Sequence, residues 1–185
     1  QRLLQIVLDN TQRINRIVQD VMQLNRRDRA QPEVFELDAM LRTFFEELNL
    51  AERLEPGVVM LNEVHDVEVS FDRGHLRQVL WNLCSNALRY GSKQPGSLML
   101  VISKVNERVM LDVQDDGPGI SAEHQGRLFE PFFTTAADGT GLGLYIAKEL
   151  CEANGSSLEY HGGGRRKGAR FRIMFAERPE DSGGA

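Results

Sequence analysis

The chain has few cysteines and no long apolar run. Its two cysteines, Cys84 and Cys151, lie far apart and outside CxxC spacing, which argues against a disulfide framework or a zinc site and fits a reducing cytoplasm. No stretch approaches the roughly 18 apolar residues that a bilayer span requires, and no signal peptide is visible. The net charge of −5 argues against a nucleic acid or an anionic membrane surface as the main partner.

The composition is that of a globular protein. Of the 185 residues, 41% are hydrophobic and 26% are charged. This supplies one substantial core, or one core with a small appendage, and it argues against wholesale disorder. The first residue is Gln rather than Met, so we expect the chain to be part of a longer protein.

Residues 1–28 predict one amphipathic helix. Its apolar seam steps by alternating fours and threes, as in a heptad repeat. The stripe packs either on its own domain or, as we favour, in a coiled coil or helix bundle, where Asn10 would set the register. The seam consists of Leu3, Val7, Asn10, Ile14, Ile17, Val21 and Leu24.

The rest of the chain predicts alternating helices and strands after a polar linker over 29–33, which contains Pro32. Asp38 is the expected N-cap of the first helix. Helices are predicted over 38–54, 74–90 and 142–153, strands over 58–61, 67–71, 98–105, 109–114, 157–161 and 169–175, and a frayed tail over 177–185. This order favours an α/β sandwich, with a mixed, mostly antiparallel sheet and helices on one face.

The helix over 74–90 carries polar residues opposite its apolar stripe. Gln78, Asn82, Asn86 and Arg89 cluster there. An amide oxygen is a hard ligand suited to Mg²⁺, and a guanidinium suits phosphate. Taken alone, the cluster is more often a solvated polar face.

Asp115-Asp116-Gly117-Pro118-Gly119-Ile120 directly follows a predicted strand. Glycines there allow a backbone to approach a flat ligand, and a strand-end carboxylate accepts a hydrogen bond from an exocyclic amine such as adenine N6. The same residues also suit an ordinary Asp/Gly/Pro turn.

Leu128-Phe129-Glu130-Pro131-Phe132-Phe133-Thr134-Thr135 follows. Three phenylalanines around a proline are typical of a hydrophobic latch for a movable loop, or of three core aromatics.

Gly139-Thr140-Gly141-Leu142-Gly143-Leu144 opens the helix over 142–153. Backbone N–H groups at a helix N-terminus bind phosphate. The segment is not a Walker A loop, because no GK[ST] follows, and it is not a Rossmann fingerprint, because it has no GxGxxG after a strand.

In this order and spacing the four segments resemble the N, G1, F and G2 boxes of the bacterial sensor histidine kinase catalytic domain. That domain has the Bergerat-type ATP-binding fold, shared with DNA gyrase, the Hsp90 chaperones and MutL. The resemblance covers about residues 34–176, and Gly168-Ala169-Arg170-Phe171 matches the closing strand. The short lid and residues 144–155 are similar to the nitrogen-regulator and type IV pilus sensor kinases, the pilus branch more closely.

The resemblance implies a role for each box residue. Asn86 would ligate the Mg²⁺ that bridges the ATP phosphates, with Asn82 beside it. Arg89 would contact phosphate in place of the usual Lys. Tyr90 would pack on adenine, whose N6 would bond to Asp115. Nucleotide contacts are also implied for Gly117, Gly119, Ile120, Phe133, Gly139, Thr140, Gly141, Leu142 and Gly143.

Two departures from the family pattern stand out. Ala136 replaces a frequent lid Lys. The phosphoacceptor is also absent, because no histidine lies in a His-Glu or His-Asp setting at the start of a long helix. Residues 1–28 then resemble the second helix of the dimerisation and phosphotransfer hairpin, with the first helix and its histidine upstream of Gln1. The four histidines are His65, His75, His124 and His161.

The resemblance implies a protein-histidine kinase domain that transfers the γ-phosphoryl group of Mg-ATP to a histidine outside residues 1–185, for relay to a response regulator. It implies a homodimer through the N-terminal helix, with Phe132 and Phe133 in contact with the phosphotransfer hairpin, and no nucleic-acid partner. The domain would lie in the cytoplasm, either free or as part of a membrane-anchored sensor. The alternatives are a non-kinase ATPase clamp, an anti-sigma-type serine kinase, and a nucleotide-binding module without transfer activity.

Overall fold

A computed structural model describes residues 30–62, 66–136, 139–162 and 167–177, with Asn10, Thr11, Ile14, Val18 and Met22. Those five residues are helical. The other positions of the predicted heptad seam lie outside the described residues, as does the tail after residue 177. The domain boundaries therefore remain predictions.

Seven strands and four helices follow residue 32 within the described part of the chain. They are β1 (Glu33–Glu36), α1 (Leu37–Glu52), β2 (Val59–Asn62), β3 (Glu68–Phe71), α2 (Arg73–Tyr90), β4 (Leu98–Val105), β5 (Arg108–Asp115), α3 (Ala122–Gln125), α4 (Gly143–Ala153), β6 (Ser157–Gly162) and β7 (Ala169–Met174). The longer elements match the predicted ones to within one or two residues. β1 and α3 were not predicted.

The main sheet has five strands in the order β2-β4-β5-β7-β6. β2 pairs with β4 in parallel, and the other three pairs are antiparallel. β1 and β3 form a separate antiparallel pair. The predicted mixed, mostly antiparallel sheet is thus confirmed.

The hairpin of β4 and β5 follows directly from its sequence. Val105 pairs with Arg108, so only Asn106 and Glu107 form the turn. Both turn residues have positive φ, 49° and 64°, as a two-residue hairpin loop with a primed turn requires. Alternating apolar residues then bury one face of each strand.

The core lies between this face of the sheet and the helices. The predicted stripe of α2 is buried, with Leu76, Val79 and Leu80 fully enclosed, and Leu111 and Ile173 meet it from the sheet. Cys84 and Cys151 are free and buried in the same core, and burial raises the pKa of both thiols. They act as small apolar residues.

The predicted N-cap of α1 is wrong. Asp38 lies inside the first turn, and Glu36 takes the cap position without a side-chain bond. β1 runs into α1 without a break, so the helix begins one residue before Asp38. The N–H of Leu37 bonds instead to the carbonyl of Val67 at 2.8 Å, and a backbone partner replaces the side-chain cap.

The opposite face of the sheet is polar at its centre. Asp112 is only 4% exposed and accepts two hydrogen bonds from Arg172, of 2.7 and 2.8 Å. This bidentate pair crosses from β5 to β7 in register. Among the described residues, no helix is long and apolar enough to span a bilayer.

Candidate functional site

Helix α2 carries the predicted amide residues on its half-buried side. Asn82 donates a hydrogen bond from Nδ2 to the carbonyl of Gly143 at 3.0 Å, and its Oδ1 accepts from Gln78 at 3.1 Å. Asn82 therefore ties α2 to the start of α4. Both polar atoms of its amide make protein contacts, so Asn82 acts here as a structural link between two of the predicted boxes.

Asn86 lies one turn further along α2 and is also half-buried. Unlike Asn82, its side chain makes no hydrogen bond to any described residue. An interior helical asparagine with a free amide oxygen is a suitable ligand for a hard cation. Arg89 and Tyr90 end the helix, both exposed, so a cation and a ring stand next to this amide.

Asp115 is the last residue of β5 and is 9% exposed. Its Oδ1 accepts hydrogen bonds from the backbone N–H groups of Gly117, at 2.8 Å, and Ala169, at 3.1 Å. The described residues supply no donor for Oδ2. One oxygen thus anchors the carboxylate, and the other is left as an acceptor for a ligand.

The electrostatics of Asp115 fit this role. Burial raises the pKa of its carboxyl group, and the charge of Asp116 raises it further, against the opposing effect of the two backbone N–H groups. A buried carboxylate with one unused oxygen gains most from a hydrogen-bond donor on a ligand.

Glycines bring three chain segments together around Asp115. A Cβ at Gly117 would lie 2.7 Å from the carbonyl oxygen of Tyr90. Gly168 has a φ of +123°, and a Cβ there would lie 1.9 Å from the carbonyl oxygen of Asp115. Gly119 has a φ of +76°, and a Cβ there would lie 3.1 Å from the carbonyl oxygen of Gly168. The end of α2, the loop after β5 and the start of β7 thus form one close-packed wall.

The glycine-rich segment lies close to the phenylalanine segment. A Cβ at Gly141, whose φ is +72°, would lie 2.4 Å from the carbonyl carbon of Phe132. Phe132 itself has a φ of 65° and is 65% exposed. Thr140 accepts a hydrogen bond from the N–H of Leu142 at 3.3 Å, at the point where α4 begins.

Phe133 turns its ring away from the core. The guanidinium carbon of Arg127 lies 4.4 Å from the ring centroid, and the ring of His124 lies 5.6 Å away. Phe129, in contrast, packs edge-on against Phe171 at 6.4 Å. The three phenylalanines therefore do not share one role. Phe129 packs against the core, whereas Phe132 and Phe133 lie closer to the surface.

Two partners of Asp115 escaped the sequence prediction. The sequence places Gly168 and Ala169 only at the start of the last strand, but in the structure Ala169 bonds to the carboxylate of Asp115 and Gly168 approaches its backbone. The backbone N–H of Ser92 also donates to Oδ1 of Asp116 at 2.8 Å. Glycine at position 168 permits the observed positive φ, while its contact with Asp115 depends on the order of the strands.

Comparison with known proteins agrees with this geometry. The family model for histidine kinase-, DNA gyrase B-, and HSP90-like ATPases matches residues 71–179. The chain belongs to this ATPase family. The matched segment contains α2, the strand-end carboxylate and the glycine-rich segment, so every element of the site lies inside it.

The relatives of this ATPase domain are sensor kinases. Sensor protein kinase PilS of Pseudomonas aeruginosa is 38% identical over 179 residues, which are 95% of this chain and 34% of PilS. The catalytic domain of histidine kinase ThkA is 27% identical with a TM-score of 0.69, over 81% of this chain and 98% of that one. Full-length ShkA, in complex with AMPPNP, is 27% identical with a TM-score of 0.71, over 96% and 39%.

These matches identify an ATPase domain of the sensor histidine kinase type and agree with the resemblance to the pilus branch. The chain spans about a third of the length of PilS.

Proposed function

We propose that the chain carries the ATP-binding catalytic domain of a sensor histidine kinase. Tyr90, Asp115, Gly117, Gly119 and Ile120 would form the adenine side of the site. The phosphate side would consist of Asn82, Asn86, Arg89, Phe133, Gly139, Thr140, Gly141, Leu142 and Gly143. The observation that carries the proposal is the buried carboxylate of Asp115, with one oxygen anchored by the protein and the other unused.

This acceptor fits adenine better than guanine. An unused carboxylate oxygen accepts a hydrogen bond from the exocyclic amine of adenine, whereas guanine presents a carbonyl oxygen at the corresponding position. Two acceptors facing each other in a buried site repel and remain unpaired. The glycine wall leaves the flat base room to lie against backbone.

The residues present also fit Mg²⁺ bound together with a triphosphate. Mg²⁺ is usually held by one or two protein oxygens, with substrate phosphates and water completing its shell. Asn86 offers one such oxygen. The described residues contain no cluster of three His, Cys, Asp or Glu side chains that could form a metal cage. When bound, the ion would neutralise charge on the phosphates.

The chain's own residues would act by positioning and by charge. Arg89 would contact the phosphates, and the free N–H groups at the start of α4 would face them. Transfer forms a bond from a histidine nitrogen to the γ-phosphorus and breaks its bond to the bridging oxygen, which leaves with ADP. The protein contribution to such a reaction is chiefly alignment of the two reactants.

The acceptor would be a histidine of a phosphotransfer hairpin rather than one of the four in this sequence. From there the phosphoryl group would pass to an aspartate of a response regulator. Homodimerisation through residues 1–28 and a cytoplasmic position for the domain complete the proposal. The sensor-kinase relatives favour it over a non-kinase ATPase clamp or an anti-sigma-type serine kinase.

The adenine assignment is tested by calorimetry with ATP and GTP on the parent and on Asp115→Asn. We expect the parent to prefer ATP, and the variant to lose most of that preference, because a site built to pair with a base edge rejects the wrong edge. A variant with the parent's full preference for ATP would overturn the assignment of Asp115.

The metal assignment is tested by Asn86→Ala, with and without Mg²⁺. We expect the Mg²⁺ dependence to disappear and affinity to fall about fivefold or more, the equivalent of about 1 kcal/mol for a lost hydrogen bond. Asn49→Ala in α1 is the matched control, because it makes the same change on another helix. Equal affinities in Asn86→Ala and the control, at both Mg²⁺ concentrations, would contradict the assignment.

A further inference from the structure

A row of backbone hydrogen bonds joins the loop after β5 to Phe133 of the phenylalanine segment. His124 donates to the carbonyl of Ser121 at 2.9 Å, Arg127 to His124 at 3.0 Å, Glu130 to Arg127 at 2.9 Å, and Phe133 to Glu130 at 3.3 Å. Each bond spans three residues. We call these five residues the ladder.

Side chains three apart in such turns lie above one another, and the ladder side chains make contact accordingly. Ser121 Oγ lies 2.9 Å from His124 Nδ1. Arg127 donates from Nε to Glu130 Oε2 at 2.8 Å. The guanidinium of Arg127 and the ring of His124 both rest against Phe133. Side-chain contacts therefore supplement the backbone hydrogen bonds of the ladder.

The ladder connects two parts of the nucleotide site. It begins one residue after Ile120, whose carbonyl accepts a hydrogen bond from Gln125 at 2.9 Å. It ends at Phe133, directly before Thr134. Thr134 in turn accepts from the N–H of Ala136 at 3.1 Å and contacts Gly139. Because Thr134 directly follows Phe133, the position of Phe133 determines where the backbone of residues 134–136 begins.

We propose that Arg127 and His124 are positioning residues, which hold the ring of Phe133 and so fix residues 134–136 beside the nucleotide site. A cation on a surface phenylalanine contributes about 0.5–1 kcal/mol. Loss of these contacts would remove the cation and the ring that pack against the half-exposed side chain of Phe133. The consequence for nucleotide binding rests on the proposed function.

The test is amide hydrogen exchange of nucleotide-free protein, comparing Arg127→Ala with Arg108→Ala. Arg108 is the matched control, because it also forms an exposed ion pair through Nε, at 2.6 Å to Glu177, at the far hairpin. We expect exchange at Phe133, Thr134 and Thr135 to accelerate about two- to fivefold in Arg127→Ala only, with β4 unchanged and equal thermal midpoints in the two variants.

Two further variants separate holding the ring from general loosening. Arg127→Lys keeps a cation near Phe133 without the planar fork, so exchange should be intermediate. Phe133→Leu should accelerate exchange at Thr134 and Thr135 by itself, and adding Arg127→Ala to it should change little, because the partner of the arginine is gone. Additive effects, or equal exchange in Arg127→Ala and Arg108→Ala, would overturn the proposal.

ATP titration of the same variants tests the consequence. We expect Arg127→Ala to weaken ATP binding by a similar two- to fivefold factor. Faster exchange with unchanged ATP affinity would refute a positioning role toward the nucleotide. A parent protein that binds no ATP would refute the proposed function instead. The exchange experiment uses no nucleotide, so it would still test whether Arg127 holds the ring of Phe133.

Discussion

Ala169, the first residue of β7, donates its backbone N–H to Asp115, the last residue of β5, at 3.1 Å. The bond leads from the sheet into the proposed adenine site. Because the donor is a main-chain N–H group, its position is set by the sheet, and it holds the carboxylate of Asp115 in one direction. Pairing of β5 with β7 therefore orients the acceptor as well as stabilising the fold.

Replacing Asp115 with Asn should stabilise the ligand-free protein. Burial, aided by Asp116, raises the pKa of Asp115 above its usual 3.8, so the native state holds the proton more tightly than the unfolded chain. Its contribution to stability is present below pH 3.8 and is lost as pH rises through the raised pKa. Asn is neutral throughout and can keep both backbone bonds to Oδ1.

Thermal unfolding against pH checks this prediction. At pH 7 the midpoint of Asp115→Asn should exceed that of the parent, by about 2–4 °C for each kcal/mol gained, and the difference should shrink as the pH falls towards 3.8. The same variant should bind ATP poorly, so stability and function would oppose each other at one residue. A lower midpoint for the variant at pH 7 would contradict the argument.

Gly168→Ala should disrupt the site and the sheet together. The φ of +123° disfavours any side chain, and the added Cβ would meet the carbonyl oxygen of Asp115 at 1.9 Å. We expect a loss of more than about 2 kcal/mol in the free energy of unfolding, together with weakened ATP binding. Urea unfolding and calorimetry measure the two effects.

Gly162→Ala is the control for this substitution. It lies in β6, on the other side of the same loop, and a Cβ there meets nothing within 4 Å. Its free energy of unfolding should stay within about 0.5 kcal/mol of the parent. If Gly162→Ala and Gly168→Ala cost the same, the close approach of Gly168 to Asp115 is not what makes glycine necessary there.

The long periodic elements could be predicted because their patterns are local. β4 buries every second residue over Leu98–Ile102, β5 carries an apolar run over Val109–Leu111, and the stripe of α2 is buried as its spacing predicts. β1 buries one residue, Phe35, and α3 buries none, so neither element shows an apolar period. β1 also depends on β3 for its hydrogen bonds, and that partner cannot be read from local sequence.

The candidate site also combines residues that local sequence identifies with contacts that depend on the fold. Asp115 could be singled out because a carboxylate at a strand end followed by glycines is a local pattern. Its anchor, Ala169, lies 54 residues away, and only the order of the strands brings the two together. The contact of Arg127 with Phe133 likewise depends on a series of turns that no periodicity announces.

Asp72 should contribute stability that acid removes. It caps α2 by accepting from the N–H of His75 at 3.0 Å, and its second oxygen accepts from the N–H of Gln31 at 3.0 Å. Although burial raises the pKa of Asp72, these backbone bonds prevail and lower it below 3.8. Its contribution is therefore present above pH 3.8 and is lost as pH falls through the lowered pKa.

Two substitutions separate the cap from the charge. Asp72→Ala should cost about 1–2 kcal/mol in the free energy of unfolding at pH 7. Asp72→Asn keeps a good capping side chain and should cost less, while its stability should respond less to acid than that of the parent. Urea unfolding at pH 7 and pH 3 measures both. Equal losses for the two variants at both pH values would rule out a role for the charge.

Protein incubated with γ-labelled Mg-ATP should not label its own histidines at kinase-like rates. His75 is 7% exposed, and its Nδ1 lies 3.0 Å from the side-chain nitrogen of Asn154. The Nε2 atom of His161 is shielded from solvent. His124 is more open but packs against Phe133, and His65 lies outside the described residues. Alignment supplies most of the rate of phosphoryl transfer, and none of the three described histidines sits in the expected phosphoacceptor setting.

The measurement is a search for acid-labile, base-stable phosphate after incubation, followed by mass spectrometry of the histidine peptides. A separate hairpin that carries a phosphoacceptor histidine serves as the positive control, because label on the hairpin would show that the domain is active. With that control positive, we expect His65, His75, His124 and His161 to remain unlabelled. Label on any of them at the rate seen on the hairpin would mean that the acceptor lies within this chain and that the proposed division between donor domain and acceptor hairpin is wrong.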